Sequence, residues 1–460
     1  MPDLSVVKYG GSVLTGPEAF RAAASYALGK TRGNGKVVVV PSAMSGLTNR
    51  FGRIYDAEDE KELLVVRDTV YRPVAKALPR QFHDEAMDRI TDDMKRAQTF
   101  LEAGNRDAFV GSPEGHSAIL ENYHLIAQGG DAEYIFGPDA GFRINDHGLI
   151  DMEASRELLR VNVGGILSRG RIAVASGFLG RHYRRPREYK LAGRDSNDAC
   201  AVALGDALDG GVVEIIKNVP GVFRVTPGFG DYGLLRKLSY DESGRMTRRG
   251  PAVVHPSAIQ IARAKGMPLI VKDIDSIGTL ISDESETTDE RFVAALVAER
   301  VYEVIVQDPL IDTPEGVDYP STMAQFQKGC GANGFTPPVA DSGWISYRVI
   351  VGDRKNPADT AALFMEHLEK LTGYLHEKGY RPTVQGQGVG VITVVGDRMR
   401  GRQNTFSYLA GLLGKKGISV LFALQGNEQV IPSTSITLEV DPDKLESSVE
   451  ALTAELFAVR

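Results

Sequence analysis

Lys8-Tyr9-Gly10-Gly11-Ser12 places a cation and two glycines at the end of a short apolar run. Backbone amides beside glycine are unhindered, so anionic oxygens can approach them and the lysine together, and phosphate is the obvious guest. The spacing is neither the P-loop nor the dinucleotide fingerprint, and a tight turn accounts for a lone glycine pair equally well. Three further clusters could do related chemistry. Pro41 to Asn49 carries small hydroxyl and amide side chains, including Thr48, that suit a polar substrate or a helix cap. Ala192 to Asp198 offers Arg194 as a planar fork for a carboxylate and Asp198 as a partner for a lysine or a metal-bound nucleotide. Those two residues could instead pair across one helical turn. In Lys217-Asn218-Val219-Pro220-Gly221-Val222-Phe223 the aromatic ring could stack on a base, or the segment could be a plain turn.

Each cluster needs an element to hold it. The run from Asp3 to Val40 reads as strand, glycine turn, helix from about Pro17 to Arg32, and buried strand Lys36–Val40. Apolar β-branched runs recur at Arg171–Ala175, Gly211–Ile216 and Pro268–Val271, and their alternation with helical segments predicts an α/β fold around a mainly parallel sheet. In open sheets of that kind ligands collect outside the carboxyl ends of the strands, where all these clusters fall. Asp56 to Ala127 reads as charged, solvated helices beside the sheet. Residues 1–281 therefore form the first expected domain, and the acidic segment beginning at Ser282 is a linker over 282–296. Residues 390–460 follow a β-α-β-β-α order that suits a ferredoxin-like α+β sandwich, and 297–389 repeat it loosely, with residues 310–343 less regular.

Composition narrows the function classes. Lys and Arg number 53 against 60 Asp and Glu, a net charge of -7, which excludes a general nucleic-acid or anionic-membrane binder. Only Cys200 and Cys330 occur, so a disulfide framework and a cysteine-rich zinc site are excluded and a reducing cytoplasm is expected. The N-terminal residues lack a basic segment followed by an apolar one, and no eighteen apolar residues run together, so neither export by that route nor a membrane span is expected. Fifty glycines in 460 residues exceed the usual share of roughly 7%, and Gly10, Gly11, Gly46, Gly177, Gly180, Gly193 and Gly221 fall at expected strand ends.

Together the clusters resemble the aspartokinase branch of the amino-acid kinase family. Lys8 to Ser12 is similar to its Lys-Phe-Gly-Gly-Ser/Thr opening, and Ser42 to Asn49 to its Ser-Ala-Met-Gly-Gly-Val-Thr-Asn segment. Glu114 with Ser117, Gly177-Phe178-x-Gly180, Gly193-Arg194 with Asp198, and Val219-x-Gly221-Val222 are further matches in the same order. The resemblance implies an amino-acid kinase-like sandwich followed by two ferredoxin-like modules of ACT type. It implies transfer of the γ-phosphoryl group of ATP to the side-chain carboxylate of L-aspartate, giving 4-phospho-L-aspartate, a first step toward lysine, threonine and methionine or a related metabolite.

On that resemblance Lys8 and Asp198 are catalytic, with Asp198 orienting Lys8. Thr48, Glu114, Arg194 and Asn197 hold the substrate; Gly10, Gly11, Ser12, Lys217, Asn218, Phe223 and Lys272 hold ATP. Magnesium arrives on the nucleotide phosphates, with no metal site of the protein's own. An amino-acid effector at the ACT-like modules and a homodimer or higher homo-oligomer joined through them are implied as well. Three departures stand out. Asp195-Ser196-Asn197 replaces Gly-Gly-Ser, Thr226-Pro227-Gly228 replaces Asp-Pro-Arg, and Arg181, Arg184, Arg185 and Arg187 crowd one loop. These arginines could restore the missing charge or read an extra acidic group, or simply be solvated. Two other readings stay open: a kinase of the same fold for another amino acid or small carboxylate, and an inactive amino-acid sensor.

Overall fold

A computed structural model describes residues 4–193, 196–249, 254–307, 339–341, 344–349, 357–377, 383–399, 402–425 and 434–457. The chain forms two compact units, Met1–Arg224 with Gly233–Glu286, and Val225–Tyr232 with Thr287–Arg460.

The first unit is built on an eight-stranded sheet of β1 (Leu4–Tyr9), β2 (Lys36–Pro41), β3 (Ala132–Ile135), β5 (Ile172–Ala175), β8 (Val212–Ile216), β9 (Lys237–Ser239), β10 (Leu269–Lys272) and β11 (Thr279–Ser282). Its order is β3-β5-β2-β1-β8-β10-β11-β9. From β3 to β10 every pair is parallel; β11 runs against β10 and β9 runs with β11. The buried β-branched runs in β1 and β2 reflect a sheet covered on both faces. A small side sheet joins β4 (Arg143–Ile144), β6 (Leu179–His182) and β7 (Tyr189–Leu191).

Strand alternation assigns the side chains of this sheet to opposite faces. Val7, Tyr9, Val37 and Val39 share one hydrophobic core with Phe20, Ala23 and Ala24 of the helix Pro17–Lys30 and with Phe109, Ile119 and Leu120 of the helix Arg106–Ala127. Lys8 points to the other face, where the wholly buried helix Asn197–Ala207 lies against β1 and β8.

The helix Arg106–Ala127 carries a buried acid that takes part in no ion pair among the described residues. Glu121 has no exposed surface, and neither carboxyl oxygen has a hydrogen-bond partner among the described residues. Burial holds its carboxyl well above the usual range. In the unfolded chain this proton leaves above about pH 4.3, whereas the folded protein keeps it, so Glu121 lowers stability progressively as pH rises. Glu121→Leu is expected to stabilise the protein by about 1–2 kcal/mol near pH 8 and by less at pH 5. Denaturant melts at the two pH values check this; an equal gain at both would show that ionisation plays no part.

The second unit contains one six-stranded antiparallel sheet of β12 (Ala295–Gln307), β13 (Val339–Asp341), β14 (Trp344–Val349), β15 (Thr383–Val395), β16 (Phe422–Gln425) and β17 (Ser435–Val440), in the order β13-β14-β12-β15-β17-β16. The two α+β sets expected from the sequence share this sheet, because β12 and β15 pair along their whole lengths, Ala295 opposite Val395 through Gln307 opposite Thr383. The expected limits at 296/297 and 389/390 therefore fall inside strands. A residue-by-residue reading sees each strand's own run but not its partner. The helices Thr405–Gly414 and Leu445–Leu456 share a core with Leu296, Ile392, Ile436 and Leu438. Of the less regular stretch 310–343, only Val339–Asp341 is among the described residues. No described helix is long and apolar enough to cross a membrane.

Candidate active site

The carboxyl ends of β1, β2 and β8 are level. Lys8 is paired with Val40 and Ile215, and Tyr9 with Pro41 and Ile216. The ladder continues past the strands: Gly10 N–H donates to Ile216 O, Ser42 N–H to Tyr9 O and Lys217 N–H to Lys272 O. This register sets Lys8, the glycine turn, the Ser42 segment and Lys217 around one cleft of about 410 Å³, a size suited to a small ligand or part of a larger one.

Of the residues singled out in the sequence, Lys8, Gly10, Gly11, Ser12, Thr48, Glu114, Asn197, Asp198 and Lys217 line this cleft. Asn218 is exposed nearby, and its Oδ1 accepts from Ser12 Oγ at 3.4 Å. Arg194 lies outside the described residues. Two others fall elsewhere. Phe223 is half-buried in a bridge with Leu234. Lys272 is in register with Ile216, so it points away from the Lys8 face, and its ammonium lies 5.2 Å from the centroid of the Tyr26 ring. The alternation of side chains along neighbouring strands is the reason: a strand-end lysine can face either side, and this one is out of phase with Lys8.

The buried centre of the cleft is a charge cluster. Lys8 Nζ lies 2.7 Å from Asp198 Oδ1, and Lys217 Nζ lies 3.4 Å from Asp198 Oδ2. The His255 amide donates to Asp198 Oδ2 at 3.1 Å. Burial alone would raise the Asp198 carboxyl, but the charges of Lys217 and Lys8 and the hydrogen bonds from Lys8 and His255 outweigh it and hold the group well below the usual carboxylate range. Asp198 sits in the first turn of its helix, where the macrodipole also favours an anion. Two ammonium groups around one carboxylate leave a net positive charge in a site that is largely removed from water, which suits a polyanionic guest.

The opposite wall is polar and acidic. Glu114 Oε2 accepts from the Ala43 amide at 2.7 Å and from Asn197 Nδ2 at 2.6 Å, and Asn197 Nδ2 also reaches Ser42 Oγ at 3.1 Å. Glu114 belongs to a helix on one face of the sheet and Asn197 to a helix on the other, so their hydrogen bond closes over the strand ends. Cys200, one turn beyond Asn197, accepts the Phe178 amide; burial pushes its thiol up to about 12, which makes it an inert packing group. Phe178 holds a left-handed backbone conformation at φ 62° and lines the cleft. Phe178, Ser42 and His255 are site residues that their residue types did not single out, since two of these roles are backbone contacts.

Glycine is required at position 11. A Cβ there would stand 2.4 Å from Ala43 O, a backbone atom that cannot swing aside. At Gly16 a Cβ would meet nothing within 4 Å, and its φ of 168° is ordinary extended backbone. Gly11→Ala is expected to weaken the binding of a phosphate-bearing ligand at this turn at least tenfold, because the turn must shift against the Ser42 segment. Gly16→Ala is expected to leave it unchanged. Calorimetric titration of both variants with a nucleoside triphosphate decides; equal behaviour would show that the close approach does not matter.

The crowded arginine loop does not reach this cleft. Arg181 pairs with Asp139 and covers the Tyr189 ring, Arg185 pairs with Glu188, and Arg184 lies over Tyr183. None of the four lines the cavity. Among the described residues no three His, Cys, Asp or Glu side chains gather as a metal site.

Comparison with known proteins agrees with this geometry. Aspartokinase 2 of Bacillus subtilis is 28% identical over 303 residues, covering 64% of this chain and 63% of that protein. Aspartokinase of Corynebacterium glutamicum is 29% identical over 290 residues, 62% of this chain and 58% of that one. The matched stretch is thus under two thirds of either relative. Among solved structures, E. coli aspartokinase III in complex with lysine and aspartate superposes with a TM-score of 0.79 at 19% identity, covering 99% of both chains. The same enzyme with aspartate and ADP gives 0.72 at 18%, covering 99% of this chain and 100% of that one. Both likenesses extend the shared fold through the second unit. Residues 3–273, which contain every residue of the cleft, match the model of the amino acid kinase family, and the chain belongs to that family.

Proposed function

We propose that the chain is an aspartate kinase, transferring the γ-phosphoryl group of MgATP to the side-chain carboxylate of L-aspartate. The observation that carries this reading is the buried Lys8–Asp198–Lys217 cluster beside the Gly10-Gly11 turn, facing a wall that holds Glu114. An aspartate carboxylate oxygen attacks the γ-phosphorus, the bond to the β,γ-bridging oxygen breaks, and ADP leaves with the electron pair. The acceptor is already an anionic nucleophile, so neither a general base nor a covalent enzyme intermediate is needed. The protein must bring two anions together and neutralise the charge on the transferring group. Lys8 and Lys217 supply that charge, Asp198 fixes both ammoniums, and the amides of Gly10 to Ser12 receive phosphate oxygens. Glu114, held by the Ala43 amide and Asn197, faces the substrate ammonium, with Thr48 beside it. Magnesium enters as part of the nucleotide substrate.

The names of the relatives and the aspartate and ADP in the E. coli structure support this choice of substrates. Asn197 favours a second reading, a kinase for another small carboxylate. Its carboxamide bonds Glu114, and its Oδ1 stands 2.0 Å from where a Cβ on Gly177 would be. A bulkier group than the family's serine thus occupies the acceptor wall. The intact Lys8–Asp198 pair weighs against an inactive sensor. The second unit is the proposed seat of an amino-acid effector and of subunit pairing, in a cytoplasmic enzyme at the head of lysine, threonine and methionine synthesis.

Incubation with ATP, magnesium and a panel of amino and dicarboxylic acids, with hydroxylamine to trap acyl phosphate, tests the proposal. Hydroxamate from aspartate is expected. Product from another acid alone would support the second reading, and none from any acid would defeat both.

A further inference from the structure

We propose that the acceptor site extends into a second cavity of the first unit, where Arg53 binds a carboxylate further from the reacting group than aspartate can place one. The inference rests on the proposed carboxylate kinase and names its acceptor class: acids with an aspartate head and an anionic extension at the α-carboxyl end.

A cavity of about 520 Å³ adjoins the cleft, and the two share Thr48, Asn49 and Phe178. Lys8, Gly10, Gly11, Asp198 and Lys217 line the cleft alone, so the second cavity leaves it on the acceptor side rather than the phosphate side. One wall is a stripe of the helix Leu47–Ala57, on which Thr48, Asn49, Gly52, Arg53 and Asp56 share a face. Thr48 and Asn49 stand in the first turn, at the cleft. Arg53 lies one and a half turns further on, about 7.5 Å along the axis. Between them, Gly52 is unfavourable to the helix. A Cβ there would make only an ordinary 3.7 Å contact with Arg106 Nη2, so packing does not demand glycine, and its effect is to keep the cavity open.

The facing wall is apolar and fixed within the same unit. Val110, Phe178 and Ala192 are buried there beside Leu191. The Leu191 amide donates to Asp107 Oδ2 at 3.1 Å, and the Ala192 amide donates to Phe178 O at 2.8 Å. Three charged side chains line the cavity, and two of them cancel. Arg106 Nε and Nη2 donate to Asp56 Oδ1 and Oδ2 at 3.2 and 3.4 Å. Arg53 makes no hydrogen bond or ion pair among the described residues. The cavity therefore carries one uncancelled guanidinium, whose planar fork matches a carboxylate.

Aspartate occupies only the reacting end of this space. With its side-chain carboxylate at the transfer centre and its ammonium at Glu114, its α-carboxylate is its last group. An acid one residue longer carries a terminal carboxylate about 3.5 Å further. Helical side chains lean toward the N-terminus, which for Arg53 is toward the cleft. The smallest such acid is an α-linked aspartyl dipeptide. Its side-chain carboxylate attacks the γ-phosphorus, the bond to the β,γ-bridging oxygen breaks and ADP leaves with the electron pair, so recognition changes and the reaction does not.

The test offers L-aspartate, L-aspartylglycine and L-aspartylglycinamide to the full-length chain with MgATP and follows ADP release. The amide matches the dipeptide in length and lacks only the terminal charge. The dipeptide is expected to exceed the amide in kcat/KM by about tenfold. The difference should lie in KM, because Arg53 stands away from the transferring group. Arg53→Gln should bring the ratio to about one, and Arg53→Glu should invert it. Each ratio is taken within one preparation, so any loss of folded enzyme cancels. Equal use of dipeptide and amide by the wild type, turnover of aspartate but of neither extended acid, or a ratio unchanged in Arg53→Gln would overturn the proposal. Phosphorylation of the dipeptide but not of aspartate would overturn the choice of aspartate and uphold the extended site. If no acid is phosphorylated, the proposed function fails, and calorimetric titration with the dipeptide and its amide decides this inference. Tighter binding of the dipeptide, lost in Arg53→Gln, upholds it; equal binding overturns it.

Discussion

Replacing Lys8 with methionine is expected to lower the turnover number for phosphoryl transfer about a thousandfold. The side chain is only 7% exposed, and its ammonium is held at 2.7 Å from the carboxylate of Asp198, whose side chain is 3% exposed. A cation fixed in a site with little water needs no rearrangement as charge spreads over the transferring group, so most of its effect is felt in the transition state rather than in binding. Methionine matches the length and fills the space without the charge. Asp198 keeps Lys217 and the His255 amide, so the variant should still fold. ADP release measured at saturating nucleotide and acceptor checks the prediction, alongside a thermal melt. A folded variant with more than a tenth of the wild-type turnover would mean that Lys8 is not the residue that stabilises the transferring group.

Asp198→Asn is expected to reduce turnover about a hundredfold. The substitution keeps the shape but removes the only charge between two ammonium groups and presents an amide N–H to one of them. Lys8 and Lys217 then lose the anchor that points both into the cleft. Combined with Lys8→Met, it should add little, because the two residues act as a unit. The effect on stability has a definite pH dependence. Because the folded carboxyl lies below its ordinary value, its stabilising contribution is fully present above about pH 3.9 and is lost as pH falls below that. The stability gap between wild type and Asp198→Asn should therefore narrow below about pH 4, the opposite trend to that of Glu121, whose penalty grows toward high pH. A gap independent of pH would show that the carboxylate charge does not support the fold.

Much of the site was legible in the residues alone, for reasons that are local. Gly11 is required by a backbone approach that no side chain permits, and a glycine pair after a lysine marks such a turn wherever it falls. Lys8, Glu114 and Asp198 are charged residues set among apolar or small ones, and burying charge is tolerated only where partners or ligands repay it. The segment after Val225 was less legible. Thr226-Pro227-Gly228 was noticed for the cation it lacks, whereas its contacts show it tied to β12.

The order of elements, the parallel sheet of the first unit and the strand-end position of the chemistry follow from the sequence by itself, because periodicity and turn residues act over a few positions. Three things required the tertiary structure. Lys272 ends β10 and Lys8 lies one residue before the end of β1, and register puts them on opposite faces. β12 and β15 merge two expected modules into one sheet through pairing across some ninety residues of chain. Lys8, Asp198 and Lys217 become one charge cluster only because helix and strands bring them within 3.4 Å. Each depends on distances between segments far apart in the chain, and electrostatic and hydrogen-bond energies change over a few ångströms that no local pattern records.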